Sequence, residues 1–187
     1  YLKNSSDLIK KLKKLGRCPM NARLFTADAQ SMYTNIDTDL GVSTFIEFLQ
    51  SNQEKIPKVF PTNLFLQILD TVMRNNIFTF ADTFWLQLSG TAMGTPIACA
   101  YATITFGHFE NTNILTEYGS NLLYYRRYID DIFGVWMPPT KDQNKRWTSF
   151  KNKLNSWGHL EWLIEAYVSI GKQKEFFTPF FAKSIAG

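Results

Sequence analysis

A short polar turn between two strand-like segments constrains the fold of this chain more than any other feature. Residues 122–128 and residues 132–137 are both rich in aromatic and β-branched side chains, which favour β-strands. Only Ile129, Asp130 and Asp131 separate the two segments. So short a connection predicts a tight β-hairpin with a polar tip.

The other core elements place this hairpin in a defined topology. Residues 23–28 are predicted to form a strand and residues 97–116 a long helix. After the hairpin, a helix is predicted over residues 140–154 and a last strand over residues 160–168. The order strand, helix, strand, strand, helix, strand is the split β-α-β-β-α-β arrangement, an antiparallel sheet backed by two helices. The sequence therefore predicts an α+β fold.

Further elements surround this core. A first helix is predicted to be capped by Ser5 or Ser6 and to end at Gly16. The segment before the long helix is predicted to contain, in chain order, a helix over residues 39–50 capped by Asp39, a helix over residues 61–75, a hairpin of residues 78–80 and 84–88, and a Gly-rich turn over residues 89–96. The helix over residues 61–75 has a stripe predicted to face the core: Leu64, Phe65, Ile68, Leu69 and Val72.

Three acidic residues lie where two of the predicted strands meet. Asp28 ends the first strand, and Asp130 and Asp131 occupy the tip of the hairpin. In the split topology these strands lie side by side, so the three carboxylates are expected at one edge of the sheet. Carboxylates in so small a site repel one another unless a cation lies between them. Oxygen ligands of this kind suit Mg²⁺ and are typical of two-metal phosphoryl transfer.

Strand alternation predicts that Asp130 and Asp131 lie on roughly opposite faces. We therefore expect only one of them to bind a metal strongly alongside Asp28, and we favour Asp130. A single Asp at a strand end and an Asp-Asp pair in a hairpin are also ordinary turn residues, so the pattern alone does not decide between the two interpretations.

Positive charge is concentrated at the start of the chain. Residues 1–23 have a net charge of +6 and residues 24–187 a net charge of −2, giving +4 overall. This distribution indicates a basic face for a polyanionic partner, although a solvated helix face would produce the same pattern.

Composition restricts the other classes of function. Hydrophobic residues make up 45% of the 187 residues and charged residues 19%, which predicts a folded globular domain. Two cysteines and two histidines without zinc-ligand spacing predict reduced thiols in an intracellular protein. The uncharged run at residues 83–109 is too polar and too rich in Gly to span a bilayer, so no membrane partner is expected.

Three motifs, in order, resemble those of reverse transcriptases. Tyr128-Ile129-Asp130-Asp131 resembles their Tyr-x-Asp-Asp box. Residues 24–36 contain Asp-x-x-Ser-x-Tyr-Thr-Asn-Ile, the form typical of Penelope-like retroelements, and residues 87–96 are similar to the second motif of that group. With a matching opening helix and closing segment, the resemblance covers about residues 1–165.

The resemblance implies an RNA-directed DNA polymerase core, a palm with part of the fingers. Asp28 and Asp130 would bind two Mg²⁺ or Mn²⁺ ions, with the carbonyl of Ala29 helping and Asp131 in a supporting role. The implied partners are an RNA template, a DNA primer and deoxynucleoside triphosphates.

The resemblance also implies residues that contact substrate and nucleic acid. Tyr33 stands where the family places its steric gate against a ribose 2′-hydroxyl, although a core aromatic is an equally good interpretation from sequence. The residues implied to support the templating pair are Gly90, Met93, Gly94 and Thr95. Tyr128 and Arg126 would touch primer or template. The implied phosphate-binding residues are Lys10, Lys11, Lys13, Lys14 and Arg17.

The expected organisation is one palm and partial-fingers domain over residues 1–187, with the remaining fingers, the thumb and a nuclease elsewhere in a longer polyprotein. Residues 166–187 diverge from the family pattern. Since such an enzyme copies RNA into chromosomal DNA, a nuclear location is expected. Two alternatives stay open: a catalytically inactive nucleic-acid-binding fragment derived from a retroelement, and a telomerase-like reverse transcriptase.

Overall fold

The structure, a computed structural model, describes residues 1–16, 18–137 and 143–168. The helices in these ranges are α1 (Ser5–Leu15), α2 (Met32–Asn35), α3 (Thr38–Gln50), α4 (Thr62–Arg74), α5 (Ala98–Phe109), α6 (Leu115–Tyr118) and α7 (Gln143–Leu154). The strands are β1 (Arg23–Ala29), β2 (Ile77–Phe80), β3 (Thr83–Leu86), β4 (Leu122–Tyr128), β5 (Asp131–Trp136) and β6 (Trp162–Val168).

Four strands form the central sheet in the order β4-β5-β1-β6, and each neighbouring pair is antiparallel. Helices α5 and α7 pack on one face, where Phe106 and Phe150 join Phe25 and Trp136 of the sheet in a buried aromatic core. The predicted α+β class and split β-α-β-β-α-β order are confirmed.

Helix α1 covers the other face of the same sheet. Its apolar stripe, Leu8, Leu12 and Leu15, packs against Tyr124 of β4 and Val135 of β5. Three lysines of α1, Lys10, Lys13 and Lys14, are exposed away from this packing surface, whereas Lys11 is half-buried. The helix holds its basic charge at a fixed place beside the sheet.

Two helix starts differ from the sequence prediction. Asp37, not Asp39, caps α3, because its carboxylate accepts the backbone N–H of Leu40 at 2.8 Å. Asp39 instead pairs with Arg74 of α4 at 2.7 Å. In α1 the cap is Asn4, one residue before the predicted serines. A capping side chain must reach a backbone N–H two or three residues further on, and this geometry selects the earlier residue in both helices.

The face of α4 that meets the core also differs from the prediction. Leu69 and Met73 are buried, and Phe65 and Leu66 pack against the core from partly buried positions. Three members of the predicted stripe are instead exposed: Leu64, Ile68 and Val72. The apolar stripe of α4 is wider than the surface that the core covers. Its sequence alone therefore does not show which edge of the stripe will pack against the core.

The predicted hairpin before the Gly-rich turn is present as β2 and β3. Its turn residues, Ala81 and Asp82, both have a positive φ, as two-residue hairpins of this kind require. All residues of both strands are exposed, including the aromatic ones. The hairpin therefore projects from the body of the domain.

The predicted long helix over residues 97–116 is interrupted. α5 is followed by a π-helical turn at Glu110–Ile114 and then by α6. Insertions of this type recur at functional sites because they redirect side chains within a helix. Here the turn begins with a buried glutamate, whose partners are described below.

Some predictions lie outside the described residues: the start of the last long helix at Thr140, the divergent stretch after residue 168, and Arg17. The predicted last strand is confirmed as β6, which begins two residues later than expected. Within the described ranges, no helix is both long and apolar enough to cross a bilayer.

Candidate active site

The register between β1 and β5 brings two carboxylates side by side. Asp28 lies directly opposite Asp131, and the N–H of Ala29 donates to the carbonyl of Asp130 at 2.9 Å. This bond makes Asp28 and Asp131 a non-hydrogen-bonded pair, in which the Cα atoms lie about 4.5 Å apart and both side chains point to one face.

This register corrects the expectation from alternation that Asp131 faces away from Asp28. Asp131 is the first residue of β5, whereas Asp130 belongs with Ile129 to the two-residue turn. The sequence-based prediction counted three turn residues, and one residue of difference reverses the face of every following side chain.

The three carboxylates interact electrostatically. Burial, followed by the charges of Asp130 and then Asp28, raises the pKa of Asp131. Asp28 and Asp131 both remain exposed to solvent, so the cluster lies at an open edge of the sheet. Negative charge is thus concentrated at a site that a substrate could reach.

The donor atoms at this edge suit a hard divalent cation. Besides the carboxylates, the carbonyl oxygen of Ala29 is available. In an antiparallel strand the N–H and C=O of one residue point to the same side, and the N–H of Ala29 points to the turn. Among the described residues, no three His, Cys, Asp or Glu side chains are already grouped as a metal-binding cage.

The turn that carries Asp130 is strained. Ile129 has a φ of 48°, a left-handed conformation that β-branched residues almost never adopt. Such a backbone costs about 1–3 kcal/mol and persists only where neighbouring groups hold it. Strain of this kind is concentrated at active sites, so the outlier supports a functional role for the turn.

Tyr33 lies beside the same turn. A hydrogen bond with the Cys99 thiol, burial, and then the nearby charges including that of Asp130 raise the pKa of Tyr33 to about 12. The ring is half-buried, between the interior and the carboxylate edge. Periodicity does not predict Cys99 as a neighbour of Tyr33, because the two residues lie in elements far apart in the sequence.

The Gly-rich turn packs against the backbone of Tyr33. The N–H of Thr91 donates to the Tyr33 carbonyl at 2.5 Å. Gly90 is buried with a φ of 83°, and a Cβ added there would lie 2.8 Å from the Cα of Thr34 and 2.9 Å from the carbonyl oxygen of Tyr33. Only glycine fits this conformation and this close approach. Gly90 therefore fixes the position of Tyr33.

The rest of this turn is more open. Met93 is 75% exposed, and a Cβ added at Gly94 would meet no atom within 4 Å. Thr95 is half-buried and its hydroxyl donates to the carbonyl of Ala92 at 3.0 Å. The predicted contact of Met93 and Gly94 with a templating pair is sterically available and stays a prediction.

The predicted nucleic-acid contacts near the turn lie at exposed positions of β4. Arg126 is exposed, with its guanidinium 5.3 Å from the ring centre of Tyr124. Tyr128 is 40% exposed and stacks on Tyr1 with ring centres 6.3 Å apart. On α1, the exposed lysines are Lys10, Lys13 and Lys14. Lys11 differs because it pairs with Asp7 at 2.7 Å.

No family model matches the chain, and no curated protein matches its sequence. Its structure is similar to solved telomerases from Candida. Apo telomerase from Candida tropicalis, truncated from its C-terminal domain, has a TM-score of 0.65 at 10% identity over 91% of this chain and 37% of that chain. Telomerase from Candida albicans with a fragment of telomeric RNA has a TM-score of 0.67 at 11% identity over 92% and 32%. The Candida tropicalis enzyme with such an RNA fragment has a TM-score of 0.63 at 9% identity over 88% and 30%.

The chain has a reverse-transcriptase-like fold. It spans about a third of the length of the telomerase chains that it matches. At such low identity the likeness shows the fold alone, so the chemistry must be argued from the site.

Proposed function

We propose that the chain is the catalytic core of an RNA-directed DNA polymerase that replicates a Penelope-like retroelement. The observation that carries the proposal is the gathering of Asp28, Asp130 and Asp131 at one open sheet edge, beside Tyr33. Residues more than a hundred positions apart meet there through the strand register. The β1–β5 pairing supports the proposal, because two-metal nucleotidyl transfer uses carboxylates that lie close together.

The carboxylates and the Ala29 carbonyl would hold two Mg²⁺ ions, or Mn²⁺ in their place. Asp28 and, from the turn, Asp130 are the proposed principal ligands, and Asp131, whose side chain lies on the face of Asp28, is proposed as a supporting ligand. When bound, the ions supply charge neutralisation at the triphosphate and at the attacking primer hydroxyl. Mutual repulsion of the carboxylates gives the site its affinity for cations.

Tyr33 is proposed to exclude ribonucleotides. With a pKa of about 12 its hydroxyl stays neutral at physiological pH, so the ring acts by its shape and not by charge. Contact with Cys99 on one side and the Gly90 backbone on the other holds it in place. A ring fixed under the sugar of the incoming nucleotide would clash with a 2′-hydroxyl.

The proposed partners are an RNA template, a DNA primer and deoxynucleoside triphosphates. Two of the similar telomerase structures are complexes with a telomeric RNA fragment, which supports an RNA partner. The exposed lysines of α1 provide sequence-independent phosphate contacts. Further fingers, a thumb and a nuclease in a longer polyprotein would complete the enzyme, which would work in the nucleus.

A telomerase-like reverse transcriptase is the second candidate, since solved telomerases share the fold. The Ser-x-Tyr-Thr-Asn-Ile segment that begins at Ser31 favours the Penelope-like assignment instead. The two candidates differ in their products. A retroelement polymerase copies a long template continuously, whereas a telomerase adds one short repeat many times.

Primer extension on an RNA template tests the proposal. We expect Mg²⁺-dependent addition of deoxynucleotides, lost in Asp28→Asn and in Asp130→Asn while circular dichroism shows both variants folded. Asp82→Asn, in the exposed turn between β2 and β3, is the matched control and should keep full activity. Salt-dependent binding of RNA–DNA duplex without any extension would favour the inactive-fragment alternative. Extension that survives both site substitutions would refute the assignment.

A further inference from the structure

The strained turn needs a group that holds it, and one buried side chain reaches it. Arg127, 4% exposed, donates from Nη1 to the carbonyl of Ile129 at 2.6 Å. This carbonyl belongs to the residue with the left-handed backbone, one position before Asp130. A charged donor at that distance makes one of the stronger hydrogen bonds found in proteins.

The guanidinium of Arg127 is itself fixed from several directions. Nε donates to Oε2 of Glu110 at 2.8 Å, and Nη2 donates to the carbonyl of Thr103 at 3.0 Å. Its Cζ lies 5.2 Å from the ring centre of Phe106. Planar fork geometry allows an arginine, but not a lysine, to make all these contacts together.

Glu110 connects this arrangement to the π-helical turn. Its second oxygen, Oε1, accepts the hydroxyl of Tyr125 at 2.6 Å, so both carboxylate oxygens are satisfied. Burial and the charge of Glu110 raise the pKa of Tyr125 well above its ordinary value, which keeps the hydroxyl a donor. Gly107 leaves room beside the guanidinium, because a Cβ there would lie 3.3 Å from Arg127 Nη2.

We propose that Arg127, held by Glu110, is a positioning residue that sets the place of the Ile129-Asp130 turn relative to Asp28. The proposal rests on the proposed polymerase function for its catalytic consequence. Arg127 is buried and does not reach the substrate, so it acts only through the turn. The π-helical turn serves this purpose by directing Glu110 at Arg127.

A purely stabilising role explains the arrangement less well. Replacing a buried ion pair with apolar groups of similar size is often neutral or stabilising, so burial alone gives no reason for the pair. Among the hydrogen bonds that an apolar pair could not supply, the one to the Ile129 carbonyl reaches the strained turn.

The Arg127→Lys variant distinguishes a positioning role of Arg127 from a purely stabilising one. Lysine keeps the positive charge next to Glu110 but cannot also reach the carbonyls of Ile129 and Thr103. Hydrogen exchange followed by NMR then reports on the turn directly. We expect the amide of Ala29, which donates to Asp130, to exchange at least about tenfold faster. The amide of Gln30, which donates to Glu161 on the other side of β1, is the internal reference and should not change.

Kinetics provide the second measurement. We expect kcat for single-nucleotide addition, normalised to active sites by the burst amplitude, to fall about 10- to 100-fold. The KM for the deoxynucleotide should stay within about threefold, because Arg127 does not touch the substrate. Glu110→Gln keeps one acceptor oxygen for Arg127 Nε and turns its NH2 group towards the Tyr125 hydroxyl, whose oxygen can accept, so it should show a smaller loss.

Arg146→Lys is the matched control. Arg146 also combines a carbonyl hydrogen bond, a nearby carboxylate and an aromatic ring, with partners Glu117 and Tyr118. It contacts Asn121 just before β4, about 25 Å from the turn at the rise of a β-strand. Its variant should alter neither the Ala29 amide nor kcat.

The two measurements distinguish failure of this inference from failure of the proposed function. Unchanged Ala29 exchange in Arg127→Lys overturns the inference, and so does an unchanged kcat in a parent protein that extends primers. If the parent extends no primer, the polymerase assignment fails. Hydrogen exchange alone then decides whether Arg127 positions the turn.

Discussion

Replacing Gly90 with alanine tests how the Gly-rich turn holds Tyr33. The left-handed backbone at Gly90, with a φ of 83°, would cost an alanine about 1–2 kcal/mol. The new Cβ would also lie 2.8–2.9 Å from backbone atoms of Thr34 and Tyr33, which have no rotamer through which to move away. Overpacking of this kind adds about 1–3 kcal/mol.

Gly94→Ala is the control that isolates the packing contribution. Gly94 has a φ of 96° but open space around the position of a Cβ, so its variant carries only the backbone cost. We therefore expect Gly90→Ala to be less stable than Gly94→Ala by about 1–3 kcal/mol. In a domain of this size that is a difference of about 2–12 °C in Tm.

Urea unfolding followed by circular dichroism measures this difference, provided that both variants unfold with the same m value. Gly90→Ala should also discriminate less well between deoxynucleotides and ribonucleotides, because it displaces the backbone of Tyr33. Equal stability of the two variants, within about 0.5 kcal/mol, would show that Gly90 does not pack on Tyr33 as described.

Three further predictions follow from the site. Asp131→Asn should raise Tm at pH 7 without metal by about 1–3 °C, because it removes a carboxylate that is destabilised first by partial burial and then by the charges of Asp130 and Asp28. This gain should vanish in acid, where Asp131 is protonated and its raised pKa no longer costs stability; a gain that persists there contradicts the charge explanation. Replacing the exposed lysines of α1 (Lys10, Lys13 and Lys14) with alanine should reduce the salt slope of duplex binding by about 0.9 per lysine, whereas Lys11→Ala, already paired with Asp7, should change it less. Salt slopes equal to that of the parent protein in all four variants would place the nucleic acid elsewhere. Tyr33→Ala should increase ribonucleotide incorporation at least about tenfold while Tyr33→Phe does not, as measured by competition between the two triphosphates; an equal effect of both would implicate the hydroxyl instead of the ring.

Local sequence patterns were sufficient for the topology. The three-residue gap at 129–131 predicts the central hairpin, and the order of apolar periodicities predicts the split sheet with Asp28 beside the hairpin tip. The elements themselves depend on neighbours in the chain, which the sequence displays directly, and their order is that of the split topology that places Asp28 beside the hairpin.

Features that depend on packing could not be predicted in the same way. Whether Asp131 belongs to the turn or to β5 is decided by hydrogen bonds to β1, so its face was predicted wrongly. The contact between Tyr33 and Cys99 and the pairing of Glu110 with Arg127 join elements far apart in sequence. Helix and strand periodicities relate only residues a few positions apart, so they could not predict either pair.

Divalent-ion binding tests the central claim most directly. Mn²⁺ titration followed by electron paramagnetic resonance, with a non-hydrolysable deoxynucleoside triphosphate present, counts the ions held at the carboxylate edge. We predict two bound ions in the parent protein. Asp28→Asn and Asp130→Asn should lose bound ions, whereas Asp82→Asn should bind as many as the parent. Undiminished binding in the Asp28 variant would contradict the claim that β1 and the hairpin turn together form the metal site.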